Sequence, residues 1–314
     1  MRWPLIRYLP RQTHFKFVSF APIAAGISAV ALIAAVAALI FLGLNLGIDF
    51  KGGTLIEIVT PGPAPLAQLR ADLGKMGAHD AQVQGFGAPN SAMLRFSPQP
   101  GQSAVQVVND IKTRLSADIP GIQFKKVDVV GPKVSGELLT HGFMALGVAL
   151  FLMLCYIAFR FPYQFGFGAV LAVFHDIVLT LGVLAVMQIE FSMTSIAALL
   201  TVIGYSMNEK VITFDRLREN LRKYRKMPLR DVIDLSENER LSRTLITGTT
   251  ALIALVGALF MGGPVLFPLV FTMVFGILIG TYSSIYVALP LILLWGVKRG
   301  DLDEAEPIKP ATAR

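Results

Sequence analysis

Five ionisable side chains stand where long apolar tracts leave them little water. His175 and Asp176 are adjacent in the middle of one tract, Glu209 and Lys210 are adjacent near the end of the next, and Arg243 stands at the mouth of a third. An ionisable group within hydrocarbon must be paired, hydrated or functional, because an isolated charge there is costly. His175 with Asp176 therefore reads either as a proton-handling pair in a polar seam or as a fixed hydrogen bond to a neighbouring helix. On a helix, Gly204, Asn208 and Ile212 share one stripe, and Tyr205, Glu209 and Thr213 share the adjacent one. Glu209 precedes Asp215 by six residues, which places it roughly 9 Å inside the end of its tract. Lys210 can lift its amine toward the surface on a flexible stem, whereas Glu209 has a shorter reach and needs a partner. The following tract opens with LSRTLITGTT, so Arg243 is the expected partner. A carboxylate that pairs with arginine in one state and with a proton or water in another gives a physical basis for coupling ion entry to helix movement. The same pair also reads as a purely architectural ion pair.

The surrounding chain fixes what must position these groups. It has 314 residues, of which 54% are hydrophobic and only 16% charged, which excludes a cytosolic enzyme, a disordered regulator and a disulfide scaffold. Its single cysteine, Cys155, and four histidines leave no material for a disulfide, a cysteine metal centre or a histidine-rich site, so neither metal nor cofactor is expected. Nothing resembles a nucleophile triad, a paired-carboxylate hydrolase or a nucleotide loop, and no enzyme activity is expected. Six tracts are long enough to cross about 30 Å of hydrocarbon, near 18–44, 138–159, 163–187, 191–214, 244–261 and 265–294. The first follows Arg2, Arg7, Arg11 and Lys16; its apolar core is too long for a signal peptide and reads as a retained anchor. Residues 216–243 carry nine Lys/Arg against five acids, and Lys298 with Arg299 follow the last tract, whereas residues 49–137 hold nine basic and eight acidic groups. The positive-inside rule then puts both termini in the cytoplasm and the one large loop outside. The net charge of +7 is explained by these basic flanks, and nucleic acid is not an expected partner.

The outer loop alternates strand and helix patterns: strands at 53–60, 80–86, 91–96 and 122–130, helices at 65–77 and 102–118. The order βαββαβ matches a ferredoxin-like α+β module. The expected fold class is thus an α-helical membrane protein with six transmembrane helices and one ferredoxin-like extracytoplasmic domain. Its parts are an N-terminal segment 1–17, a first span 18–44, an outer domain 47–136, a five-helix bundle 138–296 that includes a cytoplasmic loop 216–243, and a tail 297–314. GIDFKGG joins the first span to the first outer strand, with Asp49 and Lys51 in the headgroup layer and Gly52 and Gly53 permitting positive φ. Gly131, Pro132 and Gly136 form the return junction, and the two junctions together read as a mechanical hinge. The stretch 216–243 reads as interfacial, with Leu217, Leu221 and Tyr224 facing lipid and Arg218, Arg222, Lys223, Arg225 and Lys226 reaching phosphates. Gly276 and Gly280, in GILIG, have the spacing of close helix packing.

Taken in order, GIDFKGGTLIEI at 47–58, VGPKVSGEL at 130–138, the His175–Asp176 pair, IGYSMNEKVITFDRLREN at 203–220, LSRTLITGTT at 241–250 and GTYSSIYVA at 280–288 resemble the SecD/SecF protein-export family, on its SecF side and related to the resistance-nodulation-division transporters. The resemblance covers nearly the whole chain. It implies a subunit that joins SecD in a pseudo-symmetric complex, associates with the SecYEG channel and YajC, and uses proton-motive force to assist preprotein translocation across the bacterial inner membrane, with the domain 47–136 in the periplasm. It also implies that the acid of the family's Asn-Asp-Thr motif falls on Glu209, beside Asn208, and that the family's arginine falls on Arg243. The chain departs from the motif: Lys210 replaces a small hydroxyl residue, and SENER with Glu237, Glu239 and Arg240 precedes LSRT. Lys210 is then free to pair with Glu237, Glu239 or Glu209 itself. The competing readings are a non-conducting assembly subunit, which the altered motif favours, and a small-molecule exporter, for which one outer domain is half the usual architecture.

Overall fold

The computed structural model describes residues 13–76, 78, 81–96 and 104–296. Arg2, Arg7, Arg11, Lys298, Arg299 and the tail lie outside the described residues. In chain order the elements are α1 (Phe17–Phe41), β1 (Asn45–Leu46), α2 (Ile48–Lys51), β2 (Gly53–Val59), α3 (Leu66–Lys75), β3 (Gln82–Phe86), β4 (Ala88–Phe96), α4 (Ala104–Asp118) and β5 (Gln123–Val130). There follow α5 (Pro132–Arg160), α6 (Tyr163–Met187), β6 (Glu190–Phe191), α7 (Met193–Lys223), α8 (Leu229–Met261), α9 (Gly263–Ser283), a π-helical turn (Ser284–Ala288) and α10 (Leu289–Trp295).

The expected fold class needs correction. Among the described residues five helices are long and apolar enough to cross a membrane: Phe17–Phe41, Lys133–Arg160, Tyr163–Met187, Leu229–Met261 and Leu266–Trp295. The sixth expected span, 191–214, is instead part of the 31-residue α7, which carries Glu209, Lys210, Asp215, Arg216, Arg218 and Glu219 and so fails on apolarity. It packs against α5, α6, α8 and α9, and Glu209 and Lys210 lie inside this packing. The outer sheet is open, neither closed nor strongly curled. Its strand order β3-β4-β2-β5, all antiparallel, is what the structure establishes, rather than a ferredoxin-like fold.

That outer sheet builds its core by alternation. Ile56 and Ile58 of β2 and Leu94 and Phe96 of β4 face Leu69 and Leu73 of α3 and Val108, Ile111 and Leu115 of α4, all almost fully buried. The helix spacings are i, i+4 and i, i+3, i+7, the pattern of a single buried stripe. Truncating a core residue such as Leu69 removes about 2–5 kcal/mol. On the other face, Leu55 and Met93 pack on Ile48 of α2, which makes the junction part of a second small core.

Gly52 and Gly53 adopt φ of 73° and 123°, a left-handed turn that a side chain would strain, so the chain reverses from α2 directly into β2. The junction is tied to the bundle. β1 pairs in parallel with β6, the Gly47 amide donates to the Phe191 carbonyl, and the Asp49 carboxylate accepts the first amide of α7, Met193, at 2.9 Å. Arg95 at the end of β4 meets Glu190 at 2.5 Å. At the return junction Gly131 caps α5 in extended conformation and Pro132 starts the helix, which runs uninterrupted through Gly136. Positive φ at the two junctions is thus confined to Gly52 and Gly53.

The stretch 216–243 is also corrected. It is the continuation of α7 and the start of α8, joined at 224–228, and Leu217 and Leu221 are buried in the same core as Val232 and Ile233 rather than turned to lipid.

Candidate functional site

The site is organised by two neighbours on α7 that point to opposite sides of it. A helix turns about 100° per residue, so Glu209 and Lys210 meet different helices. Ser206 and Lys210, one turn apart, face α6 and α9, whereas Glu209 and Thr213 belong to the stripe facing α8. All four are buried. Close approach of α9 makes this possible. A Cβ on Gly276 would overlap the Val202 side chain, and one on Gly280 would stand 3.1 Å from Ser206 Cβ, so the GILIG spacing sets the contact of α7 with α9.

On the first side, the Lys210 ammonium donates to Asp176 Oδ2 at 2.9 Å, to Ser283 Oγ at 2.9 Å and to Ser206 Oγ at 2.5 Å. All three of its donors are used. Ser206 and Ser283 in turn donate to Asp176 Oδ2 at 2.5 and 2.8 Å. Asp176 Oδ1 lies 3.0 Å from His175 Nδ1. Beyond the ring the chain continues through Ser28 to Tyr282, whose hydroxyl donates to the Ala24 carbonyl. This sequence of bonds fixes where the hydrogens are. With the Tyr282 hydrogen committed to Ala24, Ser28 donates to Tyr282 and accepts from His175 Nε2.

On the second side, Arg240 of α8 lies between two acids. Its Nε donates to Glu237 Oε1 at 2.7 Å, its Nη1 to Glu209 Oε2 at 3.3 Å and to Thr244 Oγ1 at 2.7 Å, and its Nη2 to Ser284 Oγ at 3.0 Å. Thr244 also donates to Glu209 at 3.1 Å. Glu209, Glu237 and Arg240 are 1%, 0% and 4% exposed, so two carboxylates share one guanidinium away from bulk water. Toward the end of the helices, Asn220 links Ser236 to Glu239, and Glu239 binds Arg216 at the surface.

α9 mirrors α7. Ser283 serves the lysine cluster and Ser284 the arginine cluster, and Ser284 opens the π-helical turn that precedes Pro290. Such turns redirect side chains within a helix. Among the described residues no group of three or more His, Cys, Asp or Glu is placed to hold a metal ion.

Of the residues singled out from sequence, Asp176, His175 and Lys210 meet in one cluster and Glu209 stands in the other. Lys210 pairs with Asp176 rather than with Glu209, Glu237 or Glu239. Arg243 does not reach Glu209: Arg240 holds it, while Arg243 and Asn208 are exposed. Sequence reasoning misses Arg240 and Glu237 as site residues because α8 starts at Leu229, not at 244. The signal is present as the spacing Glu237, Arg240, Thr244, one stripe of a helix extended backward.

The arrangement of the junction and of these helices has counterparts. The family described as "Protein export membrane protein SecD/SecF, C-terminal" matches residues 110–298, and the SecD/SecF GG motif matches residues 37–60, which include Gly52 and Gly53. The chain belongs to the SecD/SecF protein-export family. It is 44% identical over 303 residues to the protein translocase subunit SecF of Cereibacter sphaeroides, covering 94% of each chain. It is 35% identical over 298 residues to that of Rickettsia typhi, covering 94% of this chain and 96% of the relative. Among solved structures it is similar to SecDF of Thermus thermophilus, a translocon-associated membrane protein, with a TM-score of 0.83 and 32% identity. A structure of SecDF in a super-membrane-facing form gives 0.68 and 33%. The chain covers 40% of the length of either SecDF chain. It is a multi-pass membrane protein of protein export, and its family is not enzymatic.

Proposed function

We propose that the chain forms the SecF half of a complex with SecD that acts with the SecYEG channel and YajC, and that its buried arginine cluster couples proton-motive force to preprotein translocation. The single observation that carries this is the arginine cluster. Two buried acids against one guanidinium leave it one positive charge short, and a proton taken up by Glu209 or Glu237 balances it. A change of partner at Glu209 would shift α7 against α8, and α7 is capped at its start by Asp49, beside the GG turn of the outer domain. Proton uptake and domain movement thus share one helix.

In this reading both termini face the cytoplasm of a bacterial cell, and residues 47–136 form the periplasmic domain, hinged at 52–53. The bundle spans 138–296 together with the first span 18–44, and membrane lipids surround it. Asn208 and Arg243, exposed in the chain alone, are covered by SecD, whose half supplies the remaining groups of the pathway. The completeness of the lysine cluster, in which each donor has an acceptor, favours a second reading for that side alone, a structural tie between α6, α7 and α9.

The test is Glu209→Gln, which keeps size and hydrogen bonding while removing titration. Export of a preprotein into vesicles holding the complex is measured with and without an imposed proton gradient, with complex abundance in parallel. The expected result is normal abundance with gradient stimulation lost. Stimulation persisting at the wild-type level would remove Glu209 from the pathway and leave the chain as an assembly subunit.

A further inference from the structure

A groove of about 620 Å³ opens on the flank of the bundle between α5, α6 and α10, away from both charge clusters. Ile157, Tyr163, Phe167 and Trp295 wall it, and Phe167 and Trp295 meet edge to face at 4.7 Å. Its size falls in the range of small-molecule sites. Among its lining side chains is Gln164, only 3% exposed, whose Oε1 has no hydrogen-bond partner. A buried amide oxygen left unpaired is costly, and here its side chain borders the groove. The rim is basic. Arg160, at the end of α5, stands beside the groove-lining Ile157 and Ala158, and Arg218 lies close to Arg160 and Arg222, with Asp215 as the acid among them. Arg218 Nε has no hydrogen-bond partner either.

We propose that this groove binds an anionic phospholipid of the phosphatidylglycerol type. An acyl chain fills the aromatic and aliphatic wall, a headgroup hydroxyl donates to Gln164 Oε1, and the phosphate meets Arg160 and Arg218. Three features converge on this occupant. The walls belong to helices apolar enough to cross a membrane, the buried oxygen lacks a donor, and beside the groove Arg160 and Arg218 outnumber the one acid among them, Asp215. Exposed Tyr163 and Trp295 suit the interfacial layer in which such a headgroup lies.

Trp295 reports on the site directly, since Trp3 is the only other tryptophan and Trp3→Phe silences it. The full chain carrying Trp3→Phe is placed in phosphatidylcholine nanodiscs with a minority of brominated phosphatidylglycerol or, in a matched sample, brominated phosphatidylcholine. Brominated phosphatidylglycerol is expected to quench Trp295 with about thirtyfold higher apparent affinity, the effect of two arginines at an anionic headgroup. Arg160→Gln with Arg218→Gln should abolish that preference. Ala158→Phe, which fills the groove from an exposed helix position, should abolish it without touching a charge. Gln164→Leu should weaken binding while leaving the fold at least as stable, because it removes an unpaired polar group. Equal quenching by the two lipids would reduce the groove to ordinary annular contact and overturn the proposal. So would a preference that survives Ala158→Phe, or quenching by neither lipid, which would mean that protein covers the groove.

Discussion

The two sides of α7 differ in how their charges are balanced. Toward α6 and α9, one amine and one carboxylate meet with two hydroxyls between them, and every donor on Lys210 is matched. Toward α8, one guanidinium serves two carboxylates, and nearer the helix ends Asn220, Ser236 and Glu239 form a separate polar group. The first side is closed and the second is open and one proton short. Adjacent residues of a single helix thereby separate a fixed charge from an exchangeable one, and the helix that carries both can transmit a change on one side while it is held on the other.

Breaking the closed side should have the largest effect. Lys210→Met leaves Asp176 buried without its cation, a loss of about 3–5 kcal/mol, whereas removing both charges together is far milder. Lys210→Met should therefore lower the thermal midpoint and membrane abundance of the purified chain, and Lys210→Met with Asp176→Leu should recover most of both. A double variant no better than the single one would show that the pair is not the contact that holds α6 to α7.

Much of the frame is legible in the amino-acid sequence. The outer core follows from strand alternation and from Leu69, Leu73, Ile111 and Leu115 at helical spacing, because those patterns are local. The polar residues that matter are likewise visible, because charges stand out in apolar tracts. Their pairing is not. Asp176 and Lys210 are 34 residues apart on α6 and α7, and Ser283 joins their contact because Gly276 and Gly280 let α9 close on α7. Arg240 reads as part of a loop because charge density at 216–243 resembles a solvated surface, and the burial of Leu217 and Leu221 against Val232 and Ile233 depends on a helical hairpin that hydropathy does not reveal. The sixth span is overcounted for the converse reason: α7 is as long as a span but polar at its centre.

The open side sharpens the comparison at the next level. Arg240→Ala leaves Glu209 and Glu237 buried together without a cation, so destabilisation of about 3 kcal/mol is expected at neutral pH. It should shrink as pH falls, since protonation of the two acids removes the uncompensated charge. Arg243→Ala, at an exposed position, should change the stability of the isolated chain by less than about 0.5 kcal/mol. Denaturation of both variants across pH checks this. Equal losses would place Arg243, rather than Arg240, at Glu209. If Arg243→Ala impairs export only when SecD is present, its role lies at the surface that the partner covers.

The smallest and most discriminating change is at the mirrored serines. Ser283 donates to Asp176 and accepts from Lys210, so Ser283→Ala removes two bonds within the closed cluster, whereas Ser284→Ala removes one acceptor for Arg240 in the open one. Each such bond contributes about 1.5–3 kcal/mol when its partner is charged. The larger stability loss is thus expected at Ser283, but stability alone does not tell which cluster exchanges protons. Function should. A looser Arg240 alters how firmly Glu209 is held, so Ser284→Ala is expected to displace the pH dependence of gradient-driven export, while Ser283→Ala lowers stability and leaves the pH profile in place. Measuring both profiles in the same reconstituted complex distinguishes the two sides of α7. A displaced profile with Ser283→Ala and an unchanged one with Ser284→Ala would reverse the assignment and make the lysine cluster the one that exchanges protons.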